Sequence, residues 1–412
     1  MLKNKSICFI ADPRLLYGIG GSKMYINSLA HALSKQNNVY IVTTGDRKEK
    51  RSSNNLDIFI EKDMRNIASH LSMYFIEPLQ LTKKGVMLRN EVDIYHINNY
   101  SDFGMIGYFV KNKPIVVTIH GYLLRKHQVK NLKWFHPFLD AYLSIGIKNS
   151  VKNADAIIAV DGEVYKWILS LDKDVHKKMY LIQNGVDIKR FSPSVNGNEV
   201  RERYGISEEE VVILAACRFS PEKCVEELVI AMKRVLENCT NARLLLVGNG
   251  PLESKLKSLV NKLGIQNKTI FIGPVPNENI QEYYAASDIV FNTFVQSSQP
   301  DQIRYSMLEA LAGADPISTS LSTVEAMASG KVVVALTKNA NSNIKGYNFD
   351  KDVGVLLPYG NLNILSDVLI TLINSKALRE KIGANAREYI VKNRSWDRVV
   401  EEVSSIYESL MR

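Results

Sequence analysis

A chain of 412 residues exceeds what one compact core of about 150 residues accommodates, so two domains are expected. With 46% apolar and 23% charged residues it has the makeup of a globular protein, which excludes a disordered or coiled-coil chain. The net charge of +9 is uneven: residues 1–195 carry 28 Lys+Arg against 17 Asp+Glu, a net of +11, which leaves residues 196–412 at −2.

That basic first half suggests an anionic partner or a membrane surface, while the lack of a recognised module argues against nucleic acid. The longest strongly apolar run, around Pro114–Ile119, falls well short of the roughly 20 residues that span a bilayer. The opening MLKNKSICFIADP has no long apolar stretch before its acidic residue, so a cytoplasmic protein is expected. Cys8, Cys217, Cys224 and Cys239 form no C-x-x-C pair and read as reduced and structural.

In chain order, β-branched segments alternate with helical patterns, which predicts an α/β class with parallel sheets covered on both faces. The first series of strands is SICFIA (6–11), VYIVT (39–43), DIYHI (93–97), IVVTI (115–119), AIIAV (156–160) and MYLIQ (179–183). Between the first two, Tyr25, Leu29, Ala32 and Leu33 recur at helical spacing behind a glycine-rich loop, a Rossmann-like unit. Residues 64–90 show no clear period and stay unassigned. The segment 123–143 interleaves Arg125, Lys126, Lys130 and Lys133 with Trp134, Phe135 and Phe138, the pattern of a segment lying on an anionic membrane.

Turn-forming residues from Asn184 to Gly205 mark a hinge, with the boundary placed near Pro193. A second series follows: VVILAA (211–216), RLLLV (243–247), TIFI (269–272), DIVFN (288–292), VVVAL (332–336) and GVLLP (354–358). Two similar stretches, 306–317 and 322–333, each contain S-x-x-E, the capping-box pattern in which a helix start is closed by reciprocal Ser and Glu bonds. The last segment, Ser395–Met411, is an amphipathic helix with Trp396, Val399, Val400, Val403, Ile406, Tyr407 and Leu410 on its apolar side.

Open parallel sheets bind ligands beyond the carboxyl ends of their strands, so candidate residues are sought in the loops there. Gly18, Gly20 and Gly21 precede a helix and let backbone N–H groups approach an anion. Lys23 occupies the third glycine position of G-x-G-x-x-G, which disfavours a nicotinamide cofactor, and a plain tight turn is the alternative. Arg218 and Lys223 share one strand-to-helix loop, where a planar fork and a point charge can bracket a diphosphate; two solvated cations are the plain reading. Gly248 and Gly250 form a turn after the next strand.

Glu325 follows the small hydroxyl run containing Ser320, Leu321 and Ser322, where free N–H groups suit phosphate oxygens and the carboxylate suits ribose hydroxyls. A simple capping box would explain Glu325 as well. His120 and His96 each stand at or near a strand end, where an imidazole can bond a sugar hydroxyl or stabilise developing charge. Asp172–Asp174 and Asp350–Asp352 spell D-x-D but read as solvated turns, so no metal is expected.

Taken in order, GGSKMYINSLAHALSKQNNVYIVT, VVTIHGY, ADAIIAV, IQNGVDIKRFSP, ACRFSPEKCVEELVIAMKRV, RLLLVGNGPLE, IFIGPVPNENIQEYYAASDIVFNT, VEAMASGKVVVA and RSWDRVVEEVSSIY resemble glycosyltransferase family 4, the retaining GT-B enzymes that use nucleotide-diphosphate sugars. The resemblance implies two Rossmann-like domains facing a cleft, 1–193 for the acceptor and 194–393 for the donor, with residues 394–412 as a helix returning to the first. It implies that Arg218 and Lys223 bind the diphosphate, Glu325 the ribose, and the backbone around Pro274 and Val275 the base. His120 would lie at the point of sugar transfer, and Gly20 and Gly21 near the diphosphate or acceptor. The donor is a substrate, and no separate cofactor is implied.

The sequence departs from the family's E-x7-E pattern, because the position paired with Glu325 is Ile317. Asp301 and Glu309 have the same separation and form an alternative register. Helix-to-strand continuity into VVVAL favours Glu325. The same architecture also admits a sugar-nucleotide epimerase or a binding subunit that has lost turnover.

Overall fold

Strand β1 (Ser6–Ile10) leads into helix α1 (Gly21–Ser34) and β2 (Asn38–Gly45). A hairpin follows, β3 (Glu49–Ser53) and β4 (Leu56–Lys62), then α2 (Arg65–Met87), β5 (Ile94–Asn98) and β6 (Ile115–Ile119). Helix α3 (His136–Asn153), β7 (Ala156–Ala159), α4 (Gly162–Leu171) and β8 (Met179–Leu181) complete the series. The strands form one sheet in the order β3-β4-β2-β1-β5-β6-β7-β8, parallel except for β3 against β4. The structure, a computed structural model, describes residues 2–11, 21–62, 65–98, 104–110, 112–121, 136–294, 320–337 and 353–412.

Successive strand residues point to opposite faces, so each buried strand feeds two cores. Ile7, Phe9, Ile94, Val116 and Ile158 pack with Tyr25, Ile26 and Leu29 of α1 on one face. Cys8, Ile10, Ile97, Val117 and Ile157 pack with Leu81 of α2, Ile147 and Val151 of α3 and Ile168 of α4 on the other. Strand β3 escapes sequence reading because Glu49, Lys50 and Arg51 make it largely charged. They cover an exposed edge, with Lys50 bridging Asp57 at 2.9 Å, which guards against edge-to-edge pairing. Residues 65–87, where periodicity fails, form a helix with Pro78 inside it.

The second series opens with α5 (Asn198–Arg203), β9 (Val211–Ala216), α6 (Val225–Asn238), β10 (Ala242–Val247), α7 (Glu253–Lys262) and β11 (Thr269–Gly273). It continues with α8 (Ile280–Ala286), β12 (Ile289–Phe294), α9 (Leu321–Ala328), β13 (Val332–Thr337), β14 (Val355–Pro358), α10 (Leu362–Asn374) and α11 (Lys376–Asn393). These strands form a parallel sheet in the order β11-β10-β9-β12-β13-β14, whose direction of winding reverses between β9 and β12. The last helix is α12 (Trp396–Leu410).

The chain divides into two compact units, Met1–Gly185 with Trp396–Arg412, and Val186–Ser395. The division falls ahead of Pro193 because the intervening residues are tied into the second unit. Val186 N–H donates to Arg394 O at 2.8 Å, Phe191 is buried in that unit's core, and the Arg387 guanidinium donates to the carbonyls of Ile188 and Phe191. Helix α12 belongs to the first unit, where Val399, Val403, Ile406 and Tyr407 are buried against α1 and the sheet, each contributing roughly 1.5–3 kcal/mol. Gly185 is required there, since a Cβ would lie 2.8 Å from the Trp396 ring. Among the described residues no helix is long and apolar enough to cross a membrane.

Candidate functional site

In the second unit every described strand is parallel, so their carboxyl ends share one edge and the helices return with their N-termini at that edge. The switch between β9 and β12 is where such a sheet opens a crevice. The loop leaving β9 carries both predicted cations. Phe219, buried, pins it: its N–H donates to Asn249 O at 2.8 Å, its carbonyl accepts from Leu252 N–H at 3.1 Å, and its ring meets Phe271 edge-on. Arg218 before it is exposed, and Lys223 after it ends a short 3-10 turn opened by Pro221. Cys224, in the left-handed region with φ 50°, then starts α6.

Glu222 stands between the two cations in sequence and feels both. Burial works against its charge, but the Ser220 hydroxyl, its own backbone and the Lys223 and Arg218 charges prevail, holding it below the usual carboxylate range. Its carbonyl accepts from the Thr293 hydroxyl at 3.0 Å, which fastens the β9 loop to the end of β12. Burial pushes Cys217, next to Arg218, up to about 11, so it stays a thiol.

Gly248 and Gly250 have a packing reason of their own. A Cβ on either would collide with the backbone of the β9 loop, at Cys217 and Phe219 respectively, and Gly248 has φ +124°. Gly248 N–H donates to Gly273 O at 2.8 Å, so the ends of β9, β10 and β11 are braced in series. Pro274, exposed, and Val275, packed on the core below, follow directly.

Helix α9 begins at the same edge with Ser320 as its N-cap, and no side-chain cap bond is made there. The expected capping box between Ser322 and Glu325 is therefore absent. Ser320, Ser322 and Thr323 instead surround Asn292, whose Nδ2 lies 2.9, 2.7 and 2.9 Å from their hydroxyl oxygens. The Asn292 oxygen accepts from Thr293 N–H at 2.8 Å, which fixes the amide's orientation. Leu321 packs on the core. Glu325 turns to Tyr284 of α8, whose buried phenol donates to Oε2 at 3.1 Å. Burial raises the Glu325 carboxyl above its ordinary value, against the Tyr284 bond and the Arg190 charge. Asn292 has a readable signal, a polar residue following the apolar run Ile289–Phe291. Tyr284 has none.

In the first unit the two histidines part company. His96 is 1% exposed inside β5, with Nε2 2.6 Å from Thr118 Oγ1 and Nδ1 bonded to the Tyr407 hydroxyl of α12. Burial, with a smaller contribution from the His120 charge, pushes it down to about 3. It is a neutral core residue and takes no part in a surface site. His120 follows β6, half-buried, with Nε2 2.7 Å from Asn98 Oδ1 and its ring edge-on to Tyr25 at 4.8 Å.

Gly21 is the first residue of α1, while Gly18 and Gly20 lie outside the described residues, as do Asp301, Glu309, Ile317, Asp350 and Asp352. Arg125, Lys126, Lys130, Lys133, Trp134 and Phe135 also lie outside them, and Phe138 falls within α3. Asp172 caps a 3-10 turn by accepting from Asp174 N–H at 2.9 Å.

Comparison with known proteins agrees with this layout. A sequence profile of glycosyl transferases group 1 matches residues 197–389, and one of glycosyltransferase family 4 matches residues 19–190. The alpha-monoglucosyldiacylglycerol synthase of Streptococcus pneumoniae is 25% identical over 88% of this chain and 79% of its own. The N-acetyl-alpha-D-glucosaminyl L-malate synthase of Bacillus anthracis is 24% identical over 96% of this chain and 95% of its own. Among solved structures, HepE of Anabaena in complex with UDP shares the fold with a TM-score of 0.70 at 17% identity, covering 98% of this chain and 100% of that one.

Proposed function

The chain belongs to the family 4, group 1 glycosyltransferases, and on that premise we propose that it moves a hexosyl group from a nucleotide-diphosphate sugar to a hydroxyl of a lipid-linked acceptor or growing glycan, with retained anomeric configuration. The observation that carries this reading is the gathering of the Arg218–Lys223 loop, Thr293 and the Ser320–Glu325 helix start at the edge where the second sheet reverses. Arg218, Lys223 and the α9 amides take the diphosphate, Glu325 the ribose, and the backbone at Pro274 and Val275 the base. His120 serves the transferring sugar. In a front-face step the acceptor oxygen bonds the anomeric carbon as the bond to the diphosphate breaks. The leaving oxygen takes the acceptor's proton, so the protein's main task is to stabilise negative charge. No metal ion is invoked.

Thermal-shift titration with UDP-, GDP- and ADP-sugars tests the donor. One of them at 100 times its dissociation constant is expected to stabilise by about 2.7 kcal/mol, and indifference to all three would refute the reading. NMR of the product's anomeric carbon decides retention. Ile317, at the acidic position of the family pattern, favours a second reading, a donor-binding subunit without turnover. Binding without product on any acceptor would support it.

The membrane part of this proposal rests on a face of the first unit. The turn 104–110 lies between α2 and α3: Ile106 abuts Gly85, and Asn153 Nδ2 donates to Gly104 O at 3.0 Å. Side by side these elements expose Leu79, Lys83 and Met87 on one stripe of α2, Tyr108 and Phe109 on the turn, and Ile145, Lys148 and Lys152 on one stripe of α3. Large apolar groups ringed by lysines suit the cytoplasmic face of an anionic bilayer. Co-flotation with anionic but not zwitterionic vesicles, abolished in the Lys83→Glu, Lys148→Glu, Lys152→Glu triple variant, is expected. Equal binding by that variant would move the contact elsewhere.

A further inference from the structure

We propose that Asn98 is a positioning residue that fixes His120 as its Nε2–H tautomer, with the ring's lone pair on Nδ1. The inference rests on the reading that His120 serves the transferring sugar, and it concerns how that imidazole is prepared. Asn98 Oδ1 can only accept, and it lies 2.7 Å from His120 Nε2, so that nitrogen carries the hydrogen. A neutral imidazole has one N–H, which leaves Nδ1 as the acceptor.

The partner is itself immobilised. Asn98 is 3% exposed and ends β5, where it is in register with Thr118 of β6. On its other side the His120 ring meets Tyr25, whose hydroxyl lies 3.3 Å from Thr118 Oγ1. The same oxygen is 2.6 Å from His96 Nε2, and His96 is bonded in turn to Tyr407. Four elements, α1, β5, β6 and α12, therefore hold one ring.

His96 and Tyr25 are titratable neighbours of the His120 ring, with Tyr407 behind them. All three are held neutral by burial, which pushes His96 down to about 3 and both phenols up. A carboxylate placed at position 98 would raise the pKa of His120 by an opposite charge at hydrogen-bond distance.

The test begins on the unaltered protein, with imidazole nitrogen NMR assigned through a His120→Gln control. A pyrrole-type signal at Nε2 and a pyridine-type signal at Nδ1 are expected, and the reverse assignment overturns the proposal. Asn98→Asp keeps the acceptor and should retain this tautomer while raising the His120 titration midpoint by about one pH unit or more. The acidic limb of the kcat profile should move with it. Asn98→Leu should mix the tautomers and lower kcat about tenfold, with the donor KM changed less than about twofold. Unchanged tautomer and kcat in folded Asn98→Leu would overturn the assignment. Should His120→Ala leave kcat intact while the Asn98 variants still shift the tautomer, the role of His120 falls and that of Asn98 stands.

Discussion

The two sheets place their polar groups differently. In the second unit the informative residues, Arg218, Lys223, Thr293 and Ser320–Glu325, stand at strand ends and helix starts, braced from beneath by Phe219 and by glycines that permit loop-to-loop contact. In the first unit a polar chain, Tyr407–His96–Thr118–Tyr25, runs through the core and joins the last helix to the sheet. Among the described residues the first unit also carries the five most exposed large apolar side chains, all above 50% exposure. Polarity at an edge stays accessible to a ligand. Polarity inside a core is spent on specifying one packing, and function then has to be sought at its outer end, at His120.

The contrast breaks first if catalysis ignores the edge. Arg218→Ala and Lys223→Ala are each expected to cost about 2–4 kcal/mol in the barrier, since leaving-group stabilisation is electrostatic. Steady-state kinetics should show this with melting unaffected, and near-normal turnover in both would sink the assignment. The core chain should behave in the opposite way. Tyr407→Phe leaves His96 Nδ1 buried without its partner and should destabilise by about 1–3 kcal/mol. Calorimetry should assign that loss to the first unit, with nucleotide-sugar affinity retained.

Acid sharpens the comparison. His96 is neutral in the folded protein, with its pKa lowered to about 3, whereas in the unfolded chain it takes up a proton below about 6.5. Stability contributed by the neutral ring is present above that value and is lost as pH falls through the window from 6.5 to about 3, at up to about 1.4 kcal/mol per pH unit. His96→Gln should flatten this slope in denaturant titrations between pH 6.5 and 4, and an identical slope would contradict a neutral His96. The smallest effect belongs to Glu325. Its carboxyl is raised in the fold, so the unfolded chain ionises first and stability falls as pH rises past the ordinary value of 4.5. Glu325→Gln should therefore melt slightly higher than the parent at pH 7, by less at pH 4, while binding nucleotide sugars more weakly. A lower melting temperature at pH 7 would count against the buried, ligand-ready carboxylate.

Much of this layout is legible in the chain itself. Alternating apolar segments specify two parallel sheets, and loops after strands hold Arg218, Lys223 and His120 whatever else surrounds them. Capping logic failed at Glu325 because a two-residue shift of the helix start, to Ser320, removed Ser322 from the cap and left the carboxylate to Tyr284. Hydrophobic periodicity failed at β3, where charge covers an edge, and along α2, where Pro78 interrupts it.

Local spacing determined the α/β class and the two series of parallel strands, because backbone preferences and apolar period act over a few residues, while the family was read from nine segments resembling it in order. Partner choice was decided by tertiary packing. His96 and Tyr407 stand 311 positions apart, so only the docking of α12 could show that one histidine is structural while the other remains at the strand end. Hydrogen bonding is short-ranged and directional, and burial makes an unmet polar group costly, so each such residue takes its role from neighbours that no sequence window contains.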